Sequence, residues 1–286
     1  MLKIDFIFPS SHYLRDPFRG VPFTHLQILT ILEQYFGERV DLCLSDLRGI
    51  KREFALYHIP ECDVYMHSIY TLDINEQKAL VAMLRRQYPQ AIHVAGGPHA
   101  NEFTEESLEA FDSIVIGDGE RMVIKLIEDI NNRNLQRIYK DDKPVDINEY
   151  PYPSRKFLPP SATARRRMVT TKGVPGTENL ISTNTIFSRG CPYGCHFCAI
   201  LTARADTPGI RFRRPDLIEA EIEYLKREYD IQGISLLDEI VFPLKRSDAI
   251  AELEAIGRTN IAWRGQCRVD GVTPEIAAQA KALGVA

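Results

Sequence analysis

Residues 91–100 read Ala-Ile-His-Val-Ala-Gly-Gly-Pro-His-Ala, and residues 113–120 read Ser-Ile-Val-Ile-Gly-Asp-Gly-Glu. Each is a short apolar run that stops at glycine, the pattern of a buried strand feeding a tight turn. Glycine suits such a turn because it enters φ > 0 freely and lets the backbone approach a flat ligand. Taken singly, Gly-Gly-Pro and Gly-Asp-Gly also describe ordinary strand-to-helix turns, so their surroundings matter. Leu2 to Phe8, Val40 to Leu44 and Asp63 to Ile69 read as further strands, with helices at Pro22 to Phe36 and Asn75 to Gln87. A short helix near Glu105 to Ala110 and another from Glu120 to about Ile130 complete the series. Strand and helix in alternation predict an α/β fold: a doubly wound parallel sheet over residues 1–133, with helices on both faces. In such a sheet a ligand lies outside the carboxyl ends of the strands. Ser68, Gly96, Gly97, Pro98, His99, Gly117, Gly119 and Glu120 all fall on the loops that gather there.

From Asn134 the periodicity fades. Pro144, Pro151, Pro153, Pro159 and Pro160 fix an extended path, so residues 134–182 read as a linker. The alternation resumes over residues 183–286. A strand ends at Ser188, a helix opens at Pro215, and strands at Gly233 to Leu237 and Ile261 to Cys267 alternate with helices at Ser247 to Ile256 and Pro274 to Leu283. Gly257 reads as the stop of the middle helix. Again the alternation predicts parallel strands, with chemistry at their carboxyl ends as in α/β barrels. Asp238 and Glu239 sit at that end of the second strand, and Arg264, Arg268 and Asp270 at that end of the third.

Between the linker and that helix lies Cys191-Pro-Tyr-Gly-Cys195-His-Phe-Cys198. Thiolates this close in sequence converge on one metal centre without long-range help. A structural zinc site prefers paired two-residue spacings and four ligands; His196 or Cys267 would complete one, but no second Cys-x-x-Cys pair exists. A disulfide fits poorly, because nothing in the sequence reads as a secretory segment and cytosolic thiols stay reduced. Iron–sulfur cubanes are held by cysteine thiolates and normally take four. Three local cysteines would leave one iron open to a substrate or cofactor. An electron-transfer cluster drawing a fourth cysteine from Cys43, Cys62 or Cys267 is the remaining alternative.

The three-cysteine spacing, with an aromatic residue at Phe197, resembles the signature of the radical S-adenosylmethionine enzymes. The order of a strand ending in Gly-Gly-Pro-His-Ala, a strand ending in Gly-Asp-Gly-Glu, a linker and then the cysteines resembles the cobalamin-binding members of that family, along essentially the whole chain. The resemblance implies a Rossmann-like cobalamin-binding domain followed by a partial radical S-adenosylmethionine barrel. It implies Cys191, Cys195 and Cys198 as ligands of a [4Fe-4S] cluster and Phe197 beside the adenine of S-adenosylmethionine. Asp238 and Glu239 are expected near the amino group of that cofactor. Ser68, the Gly96 to His99 loop and the Gly117 to Glu120 loop are expected against the corrin and its nucleotide tail. The activity implied is reductive cleavage of S-adenosylmethionine to a 5′-deoxyadenosyl radical, followed by methyl transfer to an unactivated carbon. Cyclisation or rearrangement, with or without cobalamin, and a non-catalytic iron–sulfur or corrinoid-binding module are the alternatives. One departure from other cobalamin proteins is that Asp46-Leu-Arg-Gly49 carries no histidine for cobalt.

With 286 residues the prior is two domains. A 44% hydrophobic share, 26% charged residues and a net charge of -4 are ordinary for a soluble protein and demand neither a nucleic-acid nor a membrane partner. Met1 leads straight into a strand with no targeting segment, so the expected place is the cytoplasm. A family barrel continues through more strands than are present, so the chain is expected to be part of a longer protein. The expected partners are a small-molecule or peptide substrate and a reductant such as flavodoxin or ferredoxin.

Overall fold

A computed structural model describes residues 1–141, 143–166, 169, 176–198, 209–241 and 246–286, except for the side chains of residues 246, 248 and 249. In the N-terminal unit, strands β1 (Leu2–Phe8), β2 (Val40–Asp46), β3 (Val64–Ser68), β4 (Ile92–Gly96), β5 (Ser113–Ile116) and β6 (Ile138–Lys140) form one sheet in the order β2-β1-β3-β4-β5-β6. Every neighbouring pair is parallel, with Ile4 against Val64 and Met66 against Val94. All five residues of β3 are buried, as expected of a parallel strand covered on both faces. Helices α1 (Phe23–Phe36) and α5 (Gly119–Asn131) press Leu29, Leu32, Val123 and Leu126 onto one face. Helix α2 (Ile74–Gln87) presses Leu80 and Leu84 onto the other. Truncating such a leucine to alanine costs about 2–5 kcal/mol, so this face-by-face burial fixes the sheet. The strand order reverses direction between β1 and β3, and the reversal leaves a crevice at their carboxyl ends.

Two short helices, α3 (Pro98–Glu102) and α4 (Thr104–Ser107), occupy the place where a single helix at Glu105 to Ala110 is expected. A further difference is β6. It lies inside the stretch expected to be linker and extends the sheet by pairing Ile138 with Ile114. Three residues flanked by Arg137 and Asp141 carry almost no strand signal of their own; the edge of β5 supplies it.

In the second unit, β8 (Ile181–Thr185), β11 (Gly233–Leu236) and β12 (Ala262–Arg264) run parallel, and β7 (Arg165–Arg166), after the short helix α6 (Pro160–Thr163), pairs antiparallel with β8. A ribbon of β9 (Ser188–Arg189) and β10 (Arg211–Phe212) flanks the cysteine loop. Helices α7 (Pro215–Tyr229), α8 (Arg246–Arg258) and α9 (Pro274–Ala282) follow the strands, and Ile218, Ile222, Leu225, Leu253 and Ile256 bury against Ile234 and Trp263. Helix α8 runs through Gly257 instead of stopping there. The glycine is needed for packing, because a Cβ at that position would come within 2.5 Å of the Leu283 side chain. The third strand, expected over Ile261 to Cys267, is confined to its first half.

The connecting stretch is knitted to both units. Fully buried Arg155 donates to the Asn184 carbonyl at 2.8 Å, and Arg213 donates to the carbonyls of Ile147 and Tyr150 at 2.7 and 2.9 Å. Arg165 reaches Asp16 at 3.0 Å. Among the described residues no helix is long and apolar enough to cross a membrane.

Candidate functional site

The crevice opens as a cavity of about 360 Å³, within the range of small-molecule sites. Its walls are apolar: Phe6 and Met66 from the sheet, Phe23 and Ile28 from α1, and Val123 from α5. Its rim is the set of strand-end turns. Ser68, Gly96, Gly97, Pro98, Gly117, Gly119 and Glu120 all line it, so seven of the expected contacts come together. Gly97 explains the turn chemistry. Its φ is 96°, and a Cβ there would lie 3.1 Å from the backbone N and O of Ile69 and 3.1 Å from Ser68 Oγ. The turn is tied shut by Ile69 N–H donating to the Gly96 carbonyl at 2.8 Å and His99 N–H donating to the Ile69 carbonyl at 3.1 Å. Gly117, at φ 81°, donates its N–H to Asn101 Oδ1 at 3.0 Å.

His99 is placed differently from expectation. It is buried behind the turn, its Nδ1 lies 3.0 Å from Thr71 Oγ1, and it does not line the cavity. The histidine in the wall is His67. Its Nδ1 lies 2.9 Å from Gln77 Oε1 and its Nε2 3.4 Å from His93 Nδ1, so both nitrogens are engaged within the protein. Burial pushes His67 down to about 4 and His93 down to about 3, keeping the pair neutral at physiological pH.

The cysteines lie on the loop after β9. Cys191, Cys195 and Cys198 are free and half-buried, and Cys198 N–H donates to the Cys195 carbonyl at 3.0 Å. Phe197 points outward with 92% exposure. Among the described residues no three His, Cys, Asp or Glu side chains converge on a point where a single metal ion would sit. A cubane asks for something else, because its thiolates each bind a different iron and need only surround a volume. The donor set fits that demand: three free thiols on one loop, with Arg268 Nη1 donating to Cys195 Sγ at 3.4 Å and the guanidinium 4.0 Å from the centre of the Tyr193 ring.

The two acidic residues after β11 divide their work. Asp238 is buried and turned to the backbone at the root of the loop. It accepts from Ser188 Oγ at 2.6 Å, from the Ser188 N–H, and from the Phe187 N–H at 3.2 Å. Burial outweighs these donors and pushes its carboxyl up to about 6. Glu239 accepts from the Gly190 N–H at 3.1 Å and lines the cavity. Arg264 donates to Ser235 Oγ at 3.2 Å, and Asp270 pairs with Arg268 at 2.6 Å.

Sequence reasoning missed the ionic seam between the two units. Arg189 reaches Glu120 Oε1 at 2.5 Å and Asp118 Oδ1 at 3.7 Å. Arg211 pairs with Asp118 and donates to the Val145 carbonyl at 2.7 Å. Burial pushes Asp118 up, but its bond to Arg211 prevails and holds the carboxyl below its usual value. The two arginines are separated in sequence by the whole cysteine loop, so no local pattern reveals them.

Two relatives and one solved structure give this geometry a context. The chain is 27% identical over 273 residues to an uncharacterised methyltransferase of Pyrococcus horikoshii, spanning 87% of this chain and 54% of the relative. It is 25% identical over 233 residues to the cobalamin-dependent radical SAM methyltransferase TokK of Streptomyces tokunonensis, spanning 74% of this chain and 32% of the relative. The structure of OxsB, a cobalamin-dependent S-adenosylmethionine radical enzyme with aqua-cobalamin and S-adenosylmethionine bound, superposes on all of this chain and 43% of its own, with TM-score 0.76 and 14% identity. The resemblance to cobalamin-dependent radical S-adenosylmethionine enzymes holds. The OxsB likeness shows the fold: a Rossmann-like parallel sheet followed by part of a (β/α) barrel. No protein-family model matches the chain. The chain spans about half the length of the first of these relatives and less of the other two.

Proposed function

We propose that this chain is the cofactor-binding part of a cobalamin-dependent radical S-adenosylmethionine enzyme that transfers a methyl group to an unactivated carbon. The observation that carries the reading is one juxtaposition. A glycine-rimmed cavity at the switch point of the first sheet shares Arg189 and Glu239 with the root of the three-cysteine loop. When bound, a [4Fe-4S] cluster supplies the electron that cleaves S-adenosylmethionine, and methylcobalamin supplies the methyl group.

The residues of the chain bind, orient and exclude water. Cys191, Cys195 and Cys198 would hold three irons. Gly96, Gly97 and Gly117 let a flat corrin approach the backbone, while Phe23, Ile28 and Val123 keep water from it. Ser68 lies at the same rim, where its hydroxyl is available to a polar edge of the ligand. The engaged nitrogens of His67 argue for a corrin without a histidine on cobalt. Glu239, at the mouth, suits an ammonium group such as that of S-adenosylmethionine. Asp238 supports the Phe187–Ser188 backbone rather than a ligand. The reductant would be a flavodoxin or ferredoxin, and the cytoplasm a fitting place for it.

The test is anaerobic reconstitution with iron, sulfide and hydroxocobalamin, desalting, and determination of iron and cobalt per chain. About four iron and about one cobalt, with 5′-deoxyadenosine formed from added S-adenosylmethionine under dithionite, support the reading. Iron without cobalt in a folded sample leaves radical chemistry without methyl transfer. Zinc, or no iron, in a folded sample overturns the reading.

A further inference from the structure

Arg189 lies two residues before Cys191, yet its guanidinium belongs to the cavity. It lines the wall and bonds Glu120 Oε1 at 2.5 Å, with Asp118 Oδ1 at 3.7 Å, both acceptors on the glycine turn that opens α5. Asp118 is neutralised by Arg211, which leaves Glu120 as the main partner of Arg189. The next residue is fixed as well. Gly190 gives its N–H to Glu239 Oε2 at 3.1 Å, and Glu239 also lines the cavity. Gly190 sits at φ 95°, with its Cα side closed off by the Gly209 carbonyl. Two carboxylates from two different strand-end turns of the cavity wall therefore hold the peptide that leads into the first ligand cysteine.

From this geometry we infer that Arg189 is a positioning residue that couples occupancy of the cavity to metal binding by the cysteine loop. The inference rests on the reading of the two sites given above. A ligand in the cavity displaces water from the Arg189–Glu120 pair, and an ion pair strengthens as the local dielectric falls. The strengthened pair fixes Arg189 and Gly190, so Cys191 is presented with less freedom left to lose. Coupling of this kind is reciprocal: a cluster that fixes Cys191 tightens the cavity for its ligand by the same factor. A water-filled gap between two independent sites would give no such factor.

The experiment measures the affinity of hydroxocobalamin for the whole chain with and without the reconstituted cluster, by equilibrium dialysis under anaerobic conditions. The expected result is tightening of at least about fivefold when the cluster is present, the low end of typical site–site coupling. In Arg189→Gln the ratio falls to within about twofold of unity while iron and cobalt still bind, and Arg189→Lys restores part of it. Glu120→Gln, which keeps the shape of its side chain, serves as the second variant and lowers the ratio in the same direction. A ratio near unity in the unaltered chain with both metals bound, or an unchanged ratio in a folded variant, overturns the coupling and leaves the proposed function standing. Failure to bind cobalt or iron at all overturns the proposed function and the coupling with it.

Discussion

The cavity and the cysteine loop meet at Arg189 but are built in opposite ways. The cavity is walled by regular elements whose side chains are buried by the sheet and its helices, and its rim turns are closed by backbone hydrogen bonds. The cysteine loop has half-buried thiols and an outward Phe197, and is held at its root by Asp238 and Glu239 and over its middle by Arg268. Each site draws its order from a different source. A preformed cavity loses little freedom when a ligand enters. Thiols on an exposed loop take their final arrangement from the metal, so binding energy there is also ordering energy.

The largest expected effect comes from removing a ligand on the loop side. Cys198→Ala should abolish stable iron binding and 5′-deoxyadenosine formation together, while cobalamin affinity falls by no more than the coupling factor. Iron analysis and dialysis on the same sample check it. Retention of four iron per chain would break the ligand assignment. On the cavity side the corresponding change is Gly97→Val. A branched side chain there meets Ile69 backbone at 3.1 Å from its first atom and must adopt φ 96°. Strain of about 1–3 kcal/mol at such a position predicts about 5- to 150-fold weaker cobalamin binding, with iron stoichiometry unchanged. If Gly97→Val lost iron and kept cobalamin, the division of labour between the two regions would be reversed.

A third prediction concerns stability and separates the units by pH. Glu252 on α8 is buried with neither carboxyl oxygen hydrogen-bonded. Burial, with the Asp238 charge added, pushes its carboxyl well above the usual value. A carboxyl raised in the folded state favours folding below its unfolded value and loses that contribution as pH rises through the folded value. Glu252→Gln removes the titration. The variant should match the parent in thermal stability below about pH 4.5, the unfolded value, and exceed it at pH 8, because the unfolded parent ionises there while the buried carboxyl resists ionisation. Thermal denaturation at the two pH values checks it. Equal stability at both would mean that Glu252 finds a partner in the folded chain.

How far the sequence carried differs between the regions for the same physical reason. The Gly-Gly-Pro and Gly-Asp-Gly turns are local: the residue that needs φ > 0 is the residue that shows it, as at Gly97 and Gly117. The cysteine group is legible because its three thiols sit within eight residues. His99 was misplaced because the helix it opens turns its ring behind the loop, and helix phase at a boundary is not visible in a short motif. Asp238 reads as a free carboxylate by position, but the Phe187 and Ser188 N–H groups that claim it come from another strand end 50 residues earlier. The seam of Arg189, Arg211, Asp118 and Glu120 is a product of tertiary folding alone. The edge strand β6 is likewise made by its neighbour.

The smallest expected effect acts on a side chain that reaches the loop from outside it. Arg268 donates to Cys195 Sγ at 3.4 Å while Asp270 holds the other end of its guanidinium at 2.6 Å. A cationic donor on a ligand sulfur stabilises the more negative, reduced state of a cluster, and hydrogen bonds to the sulfurs are one of the terms that set its potential. Arg268→Gln should therefore lower the potential of the reconstituted cluster by about 60 mV, the one-electron equivalent of a tenfold change. Iron content should stay the same, since all three thiols remain. Anaerobic titration followed by electron paramagnetic resonance measures the shift directly, without turnover. An unchanged potential would make Arg268 a mere brace for Tyr193. A loss of iron instead would show that the loop depends on Arg268 for its shape, and that it is more loosely built than its contacts to Asp238 and Glu239 suggest.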